Sequence, residues 1–352
     1  MKKRRCQPIG DEHRSESARR VDPSEVVVVL PCPGEFIQSH ASRWCQIYGF
    51  PKRADLVKHL IQSLHMVNDE PTVEVLARAM NVPTDDYVRH HSLVPFQTFF
   101  KNGQRKSYRR PISTKAIAEL ECKPMRSAAY FCAECIRDDD RVWGISNWRR
   151  SHQMPGRYWC ETHRQNKLSS VDSPRAFEQC PTHWVAAGLA QSHMLSIDVR
   201  DHPLVRRFVE TSDAMLNSPI RFSPMAINHA LRNRAKKRGI QLPHALACNA
   251  LEGDSPAFQE TGAAIRFLNH VYSDLQRQER KSVMQCVDGV ARALPPFAEA
   301  TECALQIACL FSSFEEAARA FAEAAREPFV AILEEQMSAL LVESKRYRYW
   351  RN

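Results

Sequence analysis

The chain has 352 residues, long enough for two or three domains with separate cores. Its 49 lysines and arginines exceed its 40 aspartates and glutamates, a formal charge of +9 that points to a polyanionic partner. No stretch reaches the roughly 20 apolar residues of a membrane span and no apolar core follows the basic start, so a membrane role is set aside.

Without an export signal, the twelve cysteines are expected in a reducing bacterial cytosol, near the nucleoid if the partner is DNA. There they read as metal ligands or buried thiols, not as a disulfide framework. Residues 1–24 are polar and basic, a flexible tail. "EVVVVLPCPGEF", from Glu25, is a β-branched run halted by Pro31 and Pro33, an extended lead-in.

Helical periodicity then begins. From Glu35 to Tyr48 the residues Glu35, Ser39 and Arg43 fall four apart on one face, with Phe36, Ile37 and Trp44 as apolar contacts. A second helix is expected over Lys52–Met66, with Leu56, Leu60 and Leu64 as its stripe. "PTVEVLARAMNVPTDDYVRHHSL" has helix-turn-helix rhythm, with Asn81 at a turn position that favours left-handed backbone. A plain helical hairpin fits that segment equally. "KNGQRKSYRR" places five cations and a tyrosine in ten residues, a solvated loop or a phosphate-contacting strip.

"YFCAECIRDD" from Tyr130 and "RYWCETHRQ" from Arg157 hold Cys-x-x-Cys and Cys-x-x-His, with 24 residues between the pairs. Thiolates of Cys132, Cys135 and Cys160 with the imidazole of His163 would fill a zinc tetrahedron and leave no open position, a structural site. Spacing alone leaves a rival: Cys180 and His183 in "CPTH" repeat the second pair, and either pair, or both with Cys122, could complete a site. The remainder reads as helical. In "SPMAINHALRNRAKKRG", Ser223 is an N-cap, Pro224 opens the helix, Gly239 stops it, and Ile227 and Leu231 face a core. Ser313 and Glu316 form a capping box. Phe329, Ile332, Leu333, Met337, Leu340 and Leu341 mark an amphipathic helix. The fold expected is mainly α: a helix-turn-helix-like N-terminal domain over 25–125, a zinc-binding module over 126–172 and a helical C-terminal domain with a basic helix over 173–352.

Two blocks resemble the TniQ/TnsD family of transposon target-site selectors. "LPCPGEFIQSHASR" is similar to its N-terminal signature, here Pro31, Glu35, Ser39 and Arg43. The cysteine segment resembles its zinc block, with Trp148-Arg149 and Gln153-Met154-Pro155 in the places of Trp-Arg and Gln-Leu-Pro. His40 and His152 stand where the family carries tryptophan, and Ala133 and Glu161 where it carries knuckle prolines. Clear resemblance runs from about Leu30 to Leu168.

The resemblance favours Cys160 and His163 over Cys180 and His183 as ligands, leaving any second zinc ion at the latter pair a minor alternative. It implies a non-catalytic selector that binds duplex DNA or an RNA-guided complex and recruits a AAA+ ATPase, with a homodimer left open. Glu35, Ser39 and Arg43 then become candidates for the ATPase surface, or else a network that fixes the local fold. The DNA candidates are Arg105, Lys106, Arg109, Arg110, Arg149, Arg150, Arg232, Arg234, Lys236, Lys237 and Arg238. Two rivals remain. A zinc-stabilised transcription regulator would share every feature but the N-terminal block. A nuclease could place Mg²⁺ on Asp138, Asp139 and Asp140, but deaminase, Walker, Gly-x-Ser-x-Gly and His-Glu-x-x-His motifs are missing from the sequence.

Overall fold

Local stop signals set where the first helices begin and end. The computed structural model describes residues 28–66, 70–99, 124–192, 195, 197–238, 267–268, 270–271, 273–274, 300–333 and 335–336. α1 spans Ile37–Tyr48 and ends at Gly49, whose φ of 73° supplies a left-handed cap. α2 (Arg53–Ser63), α3 (Thr72–Ala79), α4 (Thr84–His91) and the short α5 (Val94–Gln97) follow. Asn81 sits between α3 and α4 with φ 55°, the conformation its short polar side chain tolerates. The expected lead-in is coil from Val28, with one β-bridge where Glu35 meets Arg149.

The cysteine region adds a small antiparallel sheet. β1 (Ala129–Phe131) pairs with β2 (Ser169–Val171), which pairs with β3 (Gln191–Ser192), with Ala129 opposite Val171. α6 (Ala133–Trp143) leaves β1 directly and ends at Gly144 in left-handed backbone. Next come α7 (Pro181–Ala186), α8 (Ile197–Asp201), α9 (Pro203–Asn217) and α10 (Pro224–Lys237), then α11 (Ala300–Leu310) and α12 (Phe314–Ala324). Ser223 caps α10 by accepting from the Met225 and Ala226 amides. The α12 box is shifted by one residue: Ser313 accepts from Glu316 N, while Glu316 reaches back to the amide and hydroxyl of Ser312.

Packing runs across the boundaries expected near residues 125 and 172. α5 lies on α9, and α1 lies on a 3₁₀ turn at Ala176–Glu178. Phe36, Phe131, Trp148 and Phe177 come from four separate segments and meet ring to ring, with centroids 5.3 to 5.8 Å apart. Farther along, Arg126 is buried between the rings of Tyr130 and Tyr158 and pairs with Asp274, which ties the cysteine region to residues near 270.

The expected C-terminal stripe is only partly met. Residues 328–333 are helical, but Phe329 and Ile332 are 60% and 54% exposed, and Val330 faces the core instead. Met337, Leu340 and Leu341 lie outside the described residues, as do the tail at 1–24, Cys122 and Gly239. Among the described residues, no helix is long and apolar enough to cross a membrane.

Candidate metal centre

Two short knuckles bring four ligands to one point. Cys132 follows β1 directly and occupies the N-cap position of α6, and Cys135 lies in the first turn of that helix. The second knuckle is a loop closed by its own backbone: Leu168 N donates to Tyr158 O, Cys160 N to Asn166 O and Asn166 N to His163 O, at 2.7 to 3.0 Å. His163 Nδ1 therefore stands 3.4 Å from the Cys135 sulfur and 3.7 Å from those of Cys132 and Cys160, and the Cys135 and Cys160 sulfurs are 3.5 Å apart.

A tetrahedron with Zn–S bonds of about 2.3 Å has edges of roughly 3.6–3.8 Å, so the donor set and its spacing fit zinc. The three thiols are buried and His163 is partly exposed. Such a group could hold a metal ion and leaves no face open for substrate.

The surroundings orient the ligands. His163 Nε2 donates to Asp138 Oδ2 at 3.1 Å, and Asp138 Oδ1 accepts from Arg141 at 2.7 Å, which leaves Nδ1 as the ligand atom. Hydrogen bonds with Cys135 and Cys160 push the Cys132 thiol down, and those with Cys132 and Cys160 push Cys135 up. Burial works against the charge of Arg149, but Cys135 and Asp139 beside it outweigh that and raise its pKa. With zinc bound to three thiolates and a neutral imidazole the cluster carries one negative charge, which Arg149 is placed to balance.

Residues 26–166 match the TniQ family model, a span that opens before the Glu35 signature and closes just after His163. Those residues carry a match to a TniQ domain. No curated protein matches the chain. A TniQ domain implies a transposition-associated protein.

The two TniQ blocks turn out to be one structure. Glu35 is fully buried; its carboxylate accepts from Cys32 N at 2.8 Å, Ser39 Oγ at 3.1 Å and Arg43 at 2.7 and 3.1 Å. Ser39 Oγ in turn accepts from Trp148 N at 3.0 Å, and Phe36 N donates to Trp148 O at 2.7 Å. Glu35 and Ser39 thus offer no surface to a partner. They realise the alternative expectation, a network that fixes the local fold, and Arg43 is largely occupied by it. Gln153 does similar work, since its amide bonds both backbone groups of Tyr130 and the Arg149 carbonyl at 2.7 to 3.1 Å. His40, buried in a tryptophan position, bonds Tyr87 OH at 2.6 Å and Val29 O at 2.7 Å.

The cationic candidates divide. Arg149 pairs with Asp139 at 2.9 Å, and Arg150 donates to the Arg89 carbonyl and to Asn217. Arg234 bonds Leu310 O and pairs with Glu316 at 2.6 Å. All three make bonds within the chain. Arg232, Lys236, Lys237 and Arg238 are exposed on α10, though Arg238 also donates to Cys309 O at 3.1 Å. Arg105, Lys106, Arg109 and Arg110 lie outside the described residues.

Cys180 and His183 sit at the start of α7 and do not join the ligand group. The three aspartates also part company. Asp138 serves His163, Asp139 serves Arg149 and Asn147, and Asp140 accepts from Thr182. They do not converge on one cation, so the Mg²⁺ reading lacks its geometry. Spacing held the signal for Asp138: it lies three residues after Cys135, one turn along the same helix.

Proposed function

We propose that this protein is an adaptor for transposition that holds target DNA, or a DNA-bound guide complex, and recruits a AAA+ ATPase to it. One observation carries the reading. The TniQ signature helix and the zinc block are locked into one body by Glu35, Ser39 and Trp148, and that body packs through α5 and α9 onto the helices that display α10. A metal with a filled shell does no chemistry there; it would hold the second knuckle where the clamp needs it.

DNA contact is assigned to the exposed side of α10, through Arg232, Lys236, Lys237 and Arg238, with the cations near residue 105 as further contacts. The α3–α4 hairpin is less suited to the backbone, because α4 opens with Asp85 and Asp86. Reversing Lys236 and Lys237 together to glutamate should weaken duplex binding and shrink the log–log salt slope by about 2, at roughly 0.9 per lost phosphate contact. A gel shift at several salt concentrations reads both. An unchanged slope would remove α10 from the interface. A pull-down of the cognate AAA+ ATPase, with and without DNA, tests recruitment. Failure to retain it would return the reading to a zinc-stabilised regulator.

A further inference from the structure

α1 has a second face. Ser39 and Arg43 point toward Glu35 and Trp148, whereas Ile37 and Ala41 lie roughly 200° round the helix. With α2 and α3 these two line a groove of about 730 Å³, within the range of ligand-sized pockets. Its floor is Ile37, Ala41, Val57, Ile61, Val73 and Leu76. Arg53 and Lys58 stand on its rim, and among the described residues no carboxylate lines it.

We propose that this groove docks an acidic peptide segment of a partner protein, with one or two apolar side chains inserted onto the floor and carboxylates set against Arg53 and Lys58. The charge of the wall selects the sign of the partner, and the apolar floor selects its anchors. Duplex DNA is the poorer occupant, because a concave apolar floor offers a phosphate backbone nothing. The clamp on the other face of α1 holds one wall still before the partner arrives, which lowers the ordering cost of docking. The proposal rests on the adaptor reading for the existence of a protein partner, and it moves the contact from Glu35, Ser39 and Arg43 to the opposite face of the same helix.

Selection of random 12-residue peptides displayed on phage, against the immobilised full chain, tests the chemistry directly. Recovered peptides should be enriched in Asp and Glu beside Leu, Ile or Phe. A labelled recovered peptide should bind at least tenfold more weakly to Arg53→Glu/Lys58→Glu and to Ala54→Trp, which puts a bulky ring at the groove; both variants must keep the wild-type melting curve and metal content. No acidic enrichment, or peptide binding indifferent to both variants, would overturn the proposal. So would loss of duplex affinity in Arg53→Glu/Lys58→Glu with peptide binding intact, which would assign the rim to nucleic acid. A wild-type chain that fails to retain the ATPase defeats the adaptor reading itself. Retention that survives both groove variants defeats only the groove.

Discussion

Asp138 and His40 show how much single polar side chains decide in this protein. Asp138 holds the proton of His163 on Nε2 and so keeps Nδ1 turned to the three sulfurs. Replacing it with alanine should weaken zinc retention about 10- to 100-fold, read by competition with a coloured chelator, while the far-UV spectrum of the loaded protein is unchanged. Retention within twofold of wild type would mean that the sulfurs alone place the ring.

His40 is neutral by design of its surroundings: burial pulls it down from 6.5 to about 4. The unfolded chain therefore takes up this proton first. His40 contributes its full stability above about pH 6.5 and loses it as pH falls toward 4, at up to about 1.4 kcal/mol per pH unit. Urea melts from pH 7.5 to 4.5 should show a shallower decline for His40→Phe than for wild type, although the variant starts less stable for want of the Tyr87 and Val29 bonds. Equal slopes would place the titration elsewhere. His152, the other histidine in a tryptophan position, is pushed down to about 3 by burial, and the described groups give neither of its ring nitrogens a partner.

Elements are joined by the clamp rather than by their own propensities. Glu35 precedes α1, Ser39 and Arg43 lie on it, and Trp148 comes 109 residues after Ser39. Removing a buried charge from such a network leaves its partner uncompensated, so Glu35→Ala should cost about 3–5 kcal/mol in urea unfolding and loosen the zinc block with α1. A cost below about 1 kcal/mol would reduce the clamp to decoration. Here lies the limit of what a sequence states. The i, i+4 spacing of Glu35, Ser39 and Arg43 was legible as a helix face, but which way that face points depends on a partner far along the chain. The caps at Ser223 and Ser313, the left-handed Asn81 and the Leu56–Leu60 stripe were legible because each is settled within a few residues. Strands of two or three residues were not, since they are too short to display an alternating pattern. Phe329 and Ile332 misled because an amphipathic stripe reports that a helix has an apolar face, not that something covers it.

At the scale of the whole molecule, the four ligands, the Glu35 clamp and the packing of α1 and α5 onto later segments form one continuous arrangement, with exposed cations on α10 and a cation-rimmed groove between α1, α2 and α3. Composition pointed to a polyanionic partner, and the paired cysteine spacings pointed to a metal site, but neither could say that the two TniQ blocks touch. Arg149, Arg150 and Arg234 were read as displayed charge because a sequence records cations without their counter-ions. The structure pairs Arg149 with Asp139 and Arg234 with Glu316, and bonds Arg150 to the Arg89 carbonyl and Asn217.

The most direct test is elemental analysis of the purified chain beside its Cys132→Ser, Cys160→Ser and Cys180→Ser variants. One zinc per wild-type chain is expected, with loss of the metal and a lowered melting temperature in the first two variants, and retention in the third. A metal-free wild type that melts cooperatively, or zinc that follows Cys180 instead of Cys160, would contradict that expectation.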